Sequence, residues 1–428
     1  MVEQATLPSE LEAIVGTTGV AARDELASFT VDGVTPGAAV NPGNTEQVAD
    51  LIRLANDRGV TIIPWGGGTE MHVGNPPSRY DIAITTRRIA RMIEHEPADL
   101  TATCEAGMTL GSLKDALGKA GQTAPFDPHL PRDATVGGLL ATNASGSARH
   151  FYGTPRDFTI GMRFVTGDGL ITKAGGKVVK NVAGYDMCKL YIGSRGTLGV
   201  ITEATFKLAP LPAATSDFAV RSGSTGAAAS FAMEIHRRGL SLRSVAVLNA
   251  RAAVSTSLAD NNAYLLAIQF AGTIAGVERS LEEAKSLAAE SSLTLIPDLD
   301  SGNACASFFE RGEGETIVRC STLPAETPAL MDAVGKVAPH AKVVATPLTG
   351  IVRARWTTAG GGDDALTSVC EIARRLNATV VVEDCPVEEK RQTDMFGPRP
   401  ASLPLMKQMK RQFDPGKVLS PGRFVDRI

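Results

Sequence analysis

Three glycine-rich segments hold the residues whose types and spacing suit them to a phosphorylated ligand. Residues 60–74 read Val-Thr-Ile-Ile-Pro-Trp-Gly-Gly-Gly-Thr-Glu-Met-His-Val-Gly, an apolar strand that opens into glycines. Gly66, Gly67 and Gly68 carry no Cβ, so backbone N–H groups there can converge on an anion such as a diphosphate. An isolated Gly-Gly-Gly also suits a tight turn, so the reading needs a second site. Residues 132–153 supply one. Asp133 or Thr135 can cap a short helix beginning near Val136. Gly137, Gly138 and Ala141 leave one face of that helix bare, and it runs into Asn143-Ala144-Ser145-Gly146, rich in small donors and acceptors. The third segment, Gly193-Ser-Arg-Gly-Thr-Leu-Gly-Val-Ile-Thr202, again passes from glycines into an apolar strand.

Taken together, the segments resemble the FAD-binding domain of the vanillyl-alcohol oxidase and p-cresol methylhydroxylase superfamily. They are most similar to the FAD-binding subunit of bacterial glycolate oxidase. Residues 175–186, Gly-Gly-Lys-Val-Val-Lys-Asn-Val-Ala-Gly-Tyr-Asp, and the Gly196-Thr-Leu-Gly199 run carry the most specific likeness. It extends over residues 40–212 and returns in 413–424. The resemblance implies that Gly66 to Gly68 and Thr69 bind the FAD pyrophosphate, with Pro64 as a further cofactor-binding residue. It implies that Ala134, Thr135, Val136, Gly137, Gly138, Ala141, Asn143, Ala144, Ser145 and Gly146 line the other side of the cofactor. Val200 and Ile201 would offer backbone groups to the adenine end, with Gly196 and Gly199 as further cofactor-binding residues. Trp65 is expected to pack rather than to stack on the flavin.

Some members of the superfamily attach FAD to a histidine directly after the paired glycines. Here Thr69 stands in that neighbourhood and His72 lies further along, so non-covalent FAD is expected. The implied reaction is oxidation of a small 2-hydroxy acid, with hydride passing to the flavin. Lys177, Lys180, Tyr185, Arg353 and Arg355 are the candidate polar residues. Lys180, Tyr185 and Arg355 are expected to be catalytic. Arg353 and Arg355 share one face of a strand and could clamp a carboxylate. Two departures stand out. The histidine-rich metal motif of related D-2-hydroxy-acid dehydrogenases is absent, leaving only His236 and His340 in the second half. The usual glutamate before Gly-Thr-Leu-Gly is replaced by Arg195. Both favour a flavin subunit that works with a larger FAD subunit and an iron–sulfur subunit. A free-standing dehydrogenase of another hydroxy acid or a sugar alcohol, and a flavin-bearing scaffold without turnover, stay open.

Composition fits such an enzyme. At 428 residues the chain is too long for one core. A formal charge of −3 gives no argument for nucleic acid. No apolar run nears the roughly 20 residues that cross a bilayer, and the first residues lack a secretion signal. A cytoplasmic protein is expected, with any contact to the inner membrane made through partner subunits. Cys104, Cys188, Cys305, Cys320, Cys370 and Cys385 are scattered without metal-ligand spacing, so no metal is expected and reduced buried thiols fit best. No Gly-x-Gly-x-x-Gly opens a helix, which argues against a plain NAD dehydrogenase.

The elements that must position these residues read as an α+β fold. Asn44 caps a helix with Gln47 at the third position, and Val48, Leu51, Ile52 and Ala55 form its apolar face up to Gly59. Strands are expected at 60–64, 80–86, 100–105, 160–166 and 170–174, with a helix at 110–117. Residues 1–212 make the FAD-binding domain. Residues 213–385 read as two βαββαβ units of ferredoxin-like order, with strands at 216–221, 244–248, 263–270 and 293–296, then at 315–320, 341–346, 350–356 and 378–383. Helices at 225–238, 276–290, 325–337 and 364–376 complete this cap. Residues 386–428 form a linker, a helix at 402–412 and a tail that returns to the first domain.

Overall fold

Asn44 starts the helix Thr45–Arg58 as its residue type dictates: Oδ1 accepts the Gln47 amide at 2.8 Å, while Gln47 Oε1 accepts the Gly43 amide at 2.6 Å. Val48, Leu51, Ile52 and Ala55 are buried on one face, and Gly59 ends the helix at φ 61°. The chain then enters strand Ile62–Trp65, parallel to Ile82–Thr85, which pairs in turn with Ala38–Val40. This computed structural model describes residues 6–129, 132–177, 185–253, 263–301, 305, 308, 312, 314–357 and 365–428. A second sheet of the first half is antiparallel, in the order 92–96, 101–105, 199–207, 159–166, 171–175.

The segment after residue 400 completes this half. Helix Leu403–Phe413 buries Lys410, whose Nζ donates to the carbonyls of Thr197 (2.8 Å) and Leu419 (2.7 Å) and meets Asp414 at 2.5 Å. Asp414, fully buried, accepts the amides of Val418 and Leu419 at 3.0 Å each. Residues 418–420 thereby lie beside strand Ile62–Trp65, with the Ile62 amide donating to Val418 and the Ser420 amide to Ile62.

The cap is one eight-stranded sheet, in the order 294–295, 214–222, 264–272, 242–249, 342–346, 351–357, 315–321, 379–384. The two expected βαββαβ units are present and join edge to edge through 242–249 and 342–346, Val247 facing Ala345. Helices Thr225–Arg237, Ile274–Glu290, Thr327–Val337 and Ala365–Arg375 pack on one face, where Phe231, Ile235, Val318, Leu330, Val352 and Val369 share a core. Each such side chain contributes about 1.5–3 kcal/mol by burial. Strand residues of opposite parity, Arg319, Arg353 and Glu383 among them, point the other way, toward the first half.

The expected strand 293–296 shrinks to Thr294–Leu295 at the sheet edge. Helix Leu7–Val15, strands Ala38–Val40 and Met92–Glu96, and helix Val387–Gln392 were not anticipated. They are short, and their stability comes from packing rather than from local pattern.

Candidate cofactor and substrate site

The three glycine segments meet at the C-terminal end of strand Ile62–Trp65. A Cβ on Gly66 would lie 2.0 Å from Thr135 Oγ1, and one on Gly67 would lie 2.5 Å from the Asp133 carbonyl. These glycines are therefore required so that the first two loops can touch, a demand the expected anion contact did not include. Gly68 takes φ +81° against the Trp65 ring. Thr135 caps helix Val136–Thr142 by accepting the Gly138 amide (3.3 Å), and Asn143 ends it at φ 51°. The third segment closes on that helix, the Gly193 and Arg195 amides donating to Leu140 and Ala141 at 2.9 Å each. A Cβ on Gly196 would meet the Pro64 ring at 3.1 Å, which brings the third loop back to the first.

Among the described residues, no protein group accepts from the amides of Gly66 to Glu70. Asn143 Oδ1 is likewise buried without a partner. Unpaired donors on a glycine loop, facing a cavity, fit a diphosphate. Pro64, Gly66 to Thr69, Thr135, Gly137, Gly138, Ala141, Gly196, Gly199, Val200 and Ile201 line this pocket. Asn143, Ala144 and Ser145 line a second cavity of about 950 Å³ that shares Thr69, Glu70, Val73, Thr142 and Arg195 with the first. Ala134 and Val136 instead sit in the hydrophobic core, with only their main chains near the loop. Gly146 lies under the Asp127 carbonyl and the His129 ring. Trp65 packs edge-on to Phe29 and donates from Nε1 to the Tyr80 hydroxyl (2.6 Å).

The second cavity, or chamber, separates the cofactor loops from the cap. On the cap side, Arg319 and Arg353 are cross-strand neighbours that share one carboxylate, Glu383, at 2.8 and 3.2 Å. Burial pushes the Glu383 carboxyl up, but the two guanidinium groups outweigh it and hold the group below its usual range. Arg149 faces them from the first half, its own pKa lowered by burial and then by Arg319 and Arg353. Arg195 stands at the neck between the cavities, over the Phe396 ring at 5.4 Å. Beside it Glu70 is pushed up to about 7, burial outweighing the Arg195 charge. The net character is cationic, suited to an organic acid.

The expected catalytic residues fare differently. Lys180 lies outside the described residues. Tyr185 is 96% exposed and lines neither cavity. Arg355 is buried beside Arg353 but bonds to Glu315 (2.7 Å) and the Phe308 carbonyl (2.6 Å), and does not itself line the chamber. Lys177 pairs with Glu94. Arg353 lines the chamber with Glu383 as its partner, while Arg355 is held by Glu315. Sequence reasoning missed Glu70, His129, Arg149, Arg319 and Glu383. Only a cross-strand register could have brought Arg319 and Glu383 to Arg353.

The loop 71–75 is fixed from below. Arg423 donates to the carbonyls of Met71 (2.6 Å), Val73 (3.2 Å) and Asn75 (3.0 Å) and meets Asp32 at 3.2 Å. Lys390 donates to the His72 carbonyl (2.6 Å) and pairs with Asp32 (2.8 Å) and Asp384 (3.1 Å).

Residues 36–175 match the family described as FAD binding domain. The chain is 25% identical to glycolate oxidase subunit GlcD of Bacillus subtilis, over 91% of this chain and 89% of that protein. It is 39% identical to D-lactate dehydrogenase of Archaeoglobus fulgidus, over 41% of each chain. The crystal structure of p-cresol methylhydroxylase with substrate bound superimposes with a TM-score of 0.71 at 15% identity, covering 98% of this chain and 97% of the other. That likeness carries the fold. Residues 36–175 are thus an FAD-binding domain in an α+β protein whose fold is that of p-cresol methylhydroxylase, and the cofactor is FAD.

Proposed function

We propose that this chain, built on an FAD-binding domain of p-cresol methylhydroxylase type, oxidises a 2-hydroxy acid as the flavin subunit of a glycolate oxidase-like complex. The observation that carries the reading is the Arg319–Glu383–Arg353 cluster on the cap, set across the chamber from the cofactor loops. Both guanidinium groups reach Glu383 through Nε, and Arg319 Nη1 also donates to Ser321 Oγ at 3.2 Å, so the two cations are fixed side by side on the chamber wall, an arrangement suited to a carboxylate. FAD held by the glycine loops Gly66–Thr69 and 135–141 would supply the hydride acceptor for the carbinol carbon. The chain's own part is to hold the acid. Arg353 and Arg319 take its carboxylate, Arg149 adds positive charge, and the cap sheet and residues 143–145 flank the chamber. Preorganised charge of this kind lowers the cost of orienting the reacting bonds.

The division into an FAD-binding domain (1–212), a cap (213–385) and a returning segment (386–428) belongs to this proposal. A larger FAD subunit and an iron–sulfur subunit are the partners it names, on the strength of the likeness to a glycolate oxidase subunit. No helix among the described residues is long and apolar enough to cross a membrane. No group of three or more His, Cys, Asp or Glu side chains among the described residues could hold a metal ion. A second reading, a free-standing dehydrogenase, is favoured by the likeness to D-lactate dehydrogenase. Anaerobic flavin reduction over a panel of 2-hydroxy acids tests the activity. Repeating it after affinity purification under native conditions separates the two readings: a subunit co-purifies with a second flavoprotein and an iron–sulfur protein, and a free-standing enzyme does not.

A further inference from the structure

We propose that His129 is the general base that takes the substrate's hydroxyl proton, an inference that rests on the 2-hydroxy acid reading above. The chain has six histidines. His95 is bonded to Gln122 Oε1 (2.9 Å), His150 lies against the Leu242 carbonyl and edge-on to His236, and His340 is exposed. Only His72 and His129 line the chamber. His129 alone is pressed against the segment that closes its cofactor side: a Cβ on Gly146 would stand 3.0 Å from its Nε2. The imidazole thus sits between residues 143–146 and the cap cluster.

The charged groups around it are Asp127 on its own loop, Arg149 on the short helix Arg149–Tyr152, and Arg319, Arg353 and Glu383 on three cap strands. Burial pushes the imidazole down to about 4, with Arg353 adding to the effect and Asp127 opposing it. With its pKa lowered this far, the ring is neutral at physiological pH. A substrate carboxylate on Arg353 and Arg319 cancels their repulsion and makes the ring more basic once the acid is bound. In the step itself the O–H bond breaks and its proton goes to an imidazole nitrogen. The C–H bond breaks with both electrons passing as hydride to the bound oxidised flavin, and the carbinol becomes a ketone or aldehyde. The imidazolium is stabilised by Asp127 and Glu383, then returns its proton to water.

The test uses the FAD-loaded protein with His129→Asn, His129→Ala and His72→Ala. Bound-flavin absorption and the thermal midpoint monitor the fold. Flavin reduction by glycolate and its longer homologues is expected to slow about 10²–10⁴-fold in His129→Asn, with its dependence on acid concentration little changed. The acid limb of the wild-type pH profile should vanish in that variant, and added imidazole should restore part of the rate in His129→Ala but not in His72→Ala. Independently of turnover, the imidazole NMR signal missing from His129→Asn should titrate well below 6.5 and move up on adding oxamate. His129→Asn reducing flavin at the wild-type rate overturns the proposal and leaves the functional reading intact, as does imidazole rescue of His72→Ala instead. A wild-type flavin that no 2-hydroxy acid reduces overturns both.

Discussion

The Arg423 guanidinium meets the Asp32 carboxylate at 3.2 Å and joins two residues 391 positions apart beneath the glycine loop. Burial lowers the Arg423 pKa to about 10 against the Asp32 charge, which marks how poorly water reaches the pair. Asp32→Ala leaves both Arg423 and Lys390 without this partner. A loss of about 3–5 kcal/mol in stability is expected, because an uncompensated buried charge remains. Urea unfolding measures it. FAD titration of the folded variant should show weaker binding, since Arg423 holds the carbonyls of loop 71–75.

Gly67→Val drives a side chain into the Asp133 carbonyl, 2.5 Å from the first added carbon. The two loops must separate, and the expected product is colourless protein that stays colourless with excess FAD. Circular dichroism should be near wild type because the cap has its own core. Yellow Gly67→Val protein would count against the diphosphate assignment.

Arg353→Met removes one arm of the cap cluster while Arg319 keeps Glu383. A lost charge-assisted bond is worth about 1.5–3 kcal/mol, or about 10–100-fold in the acid concentration giving half-maximal flavin reduction. Arg355→Met, at a side chain that does not itself line the chamber, should change that concentration far less and reduce stability instead. Stopped-flow reduction at varied substrate distinguishes the two arginines.

Glu70 predicts a pH dependence of stability in the FAD-free protein. Its carboxyl is raised by burial from 4.5 to about 7, so the folded form keeps a proton that the unfolded chain has released. The stabilisation is complete below pH 4.5 and is lost as pH rises to about 7. At about 1.36 kcal/mol per tenfold change in proton affinity, the loss is about 3 kcal/mol. Glu70→Gln abolishes this slope. Unfolding curves for both proteins at pH 4 and pH 8 should converge at the lower value and diverge at the higher one in favour of the variant.

Thr69 occupies the neighbourhood where a histidine would bond the flavin, and the His72 main chain is held by Lys390. Trichloroacetic acid is expected to leave a white pellet and a yellow supernatant. A yellow pellet would establish a covalent bond.

The cofactor half was legible because its signals are local. Asn44 with Gln47 announces a helix start, Gly59 its end, and three glycine runs the loops between strands. The cap's element order was equally readable from periodicity, down to both βαββαβ units. The chamber was not. Arg319, Arg353 and Glu383 are separated by dozens of residues and become neighbours only through strand register, which no local pattern encodes. Arg355 shows the same limit: it shares a face with Arg353, yet Glu315 captures it. His129 carried no motif at all, and its meaning comes from Gly146 beneath it.

Residues 418–420 sit as an extra strand beside Ile62, and Lys410 locks them there from within the interior. The phosphate loop springs from the far end of that same strand. The parallel sheet of the first half is therefore completed only by residues that follow the whole cap in the chain. A polypeptide cut short within the cap would thus keep every glycine loop yet lack the residues that brace the strand they spring from.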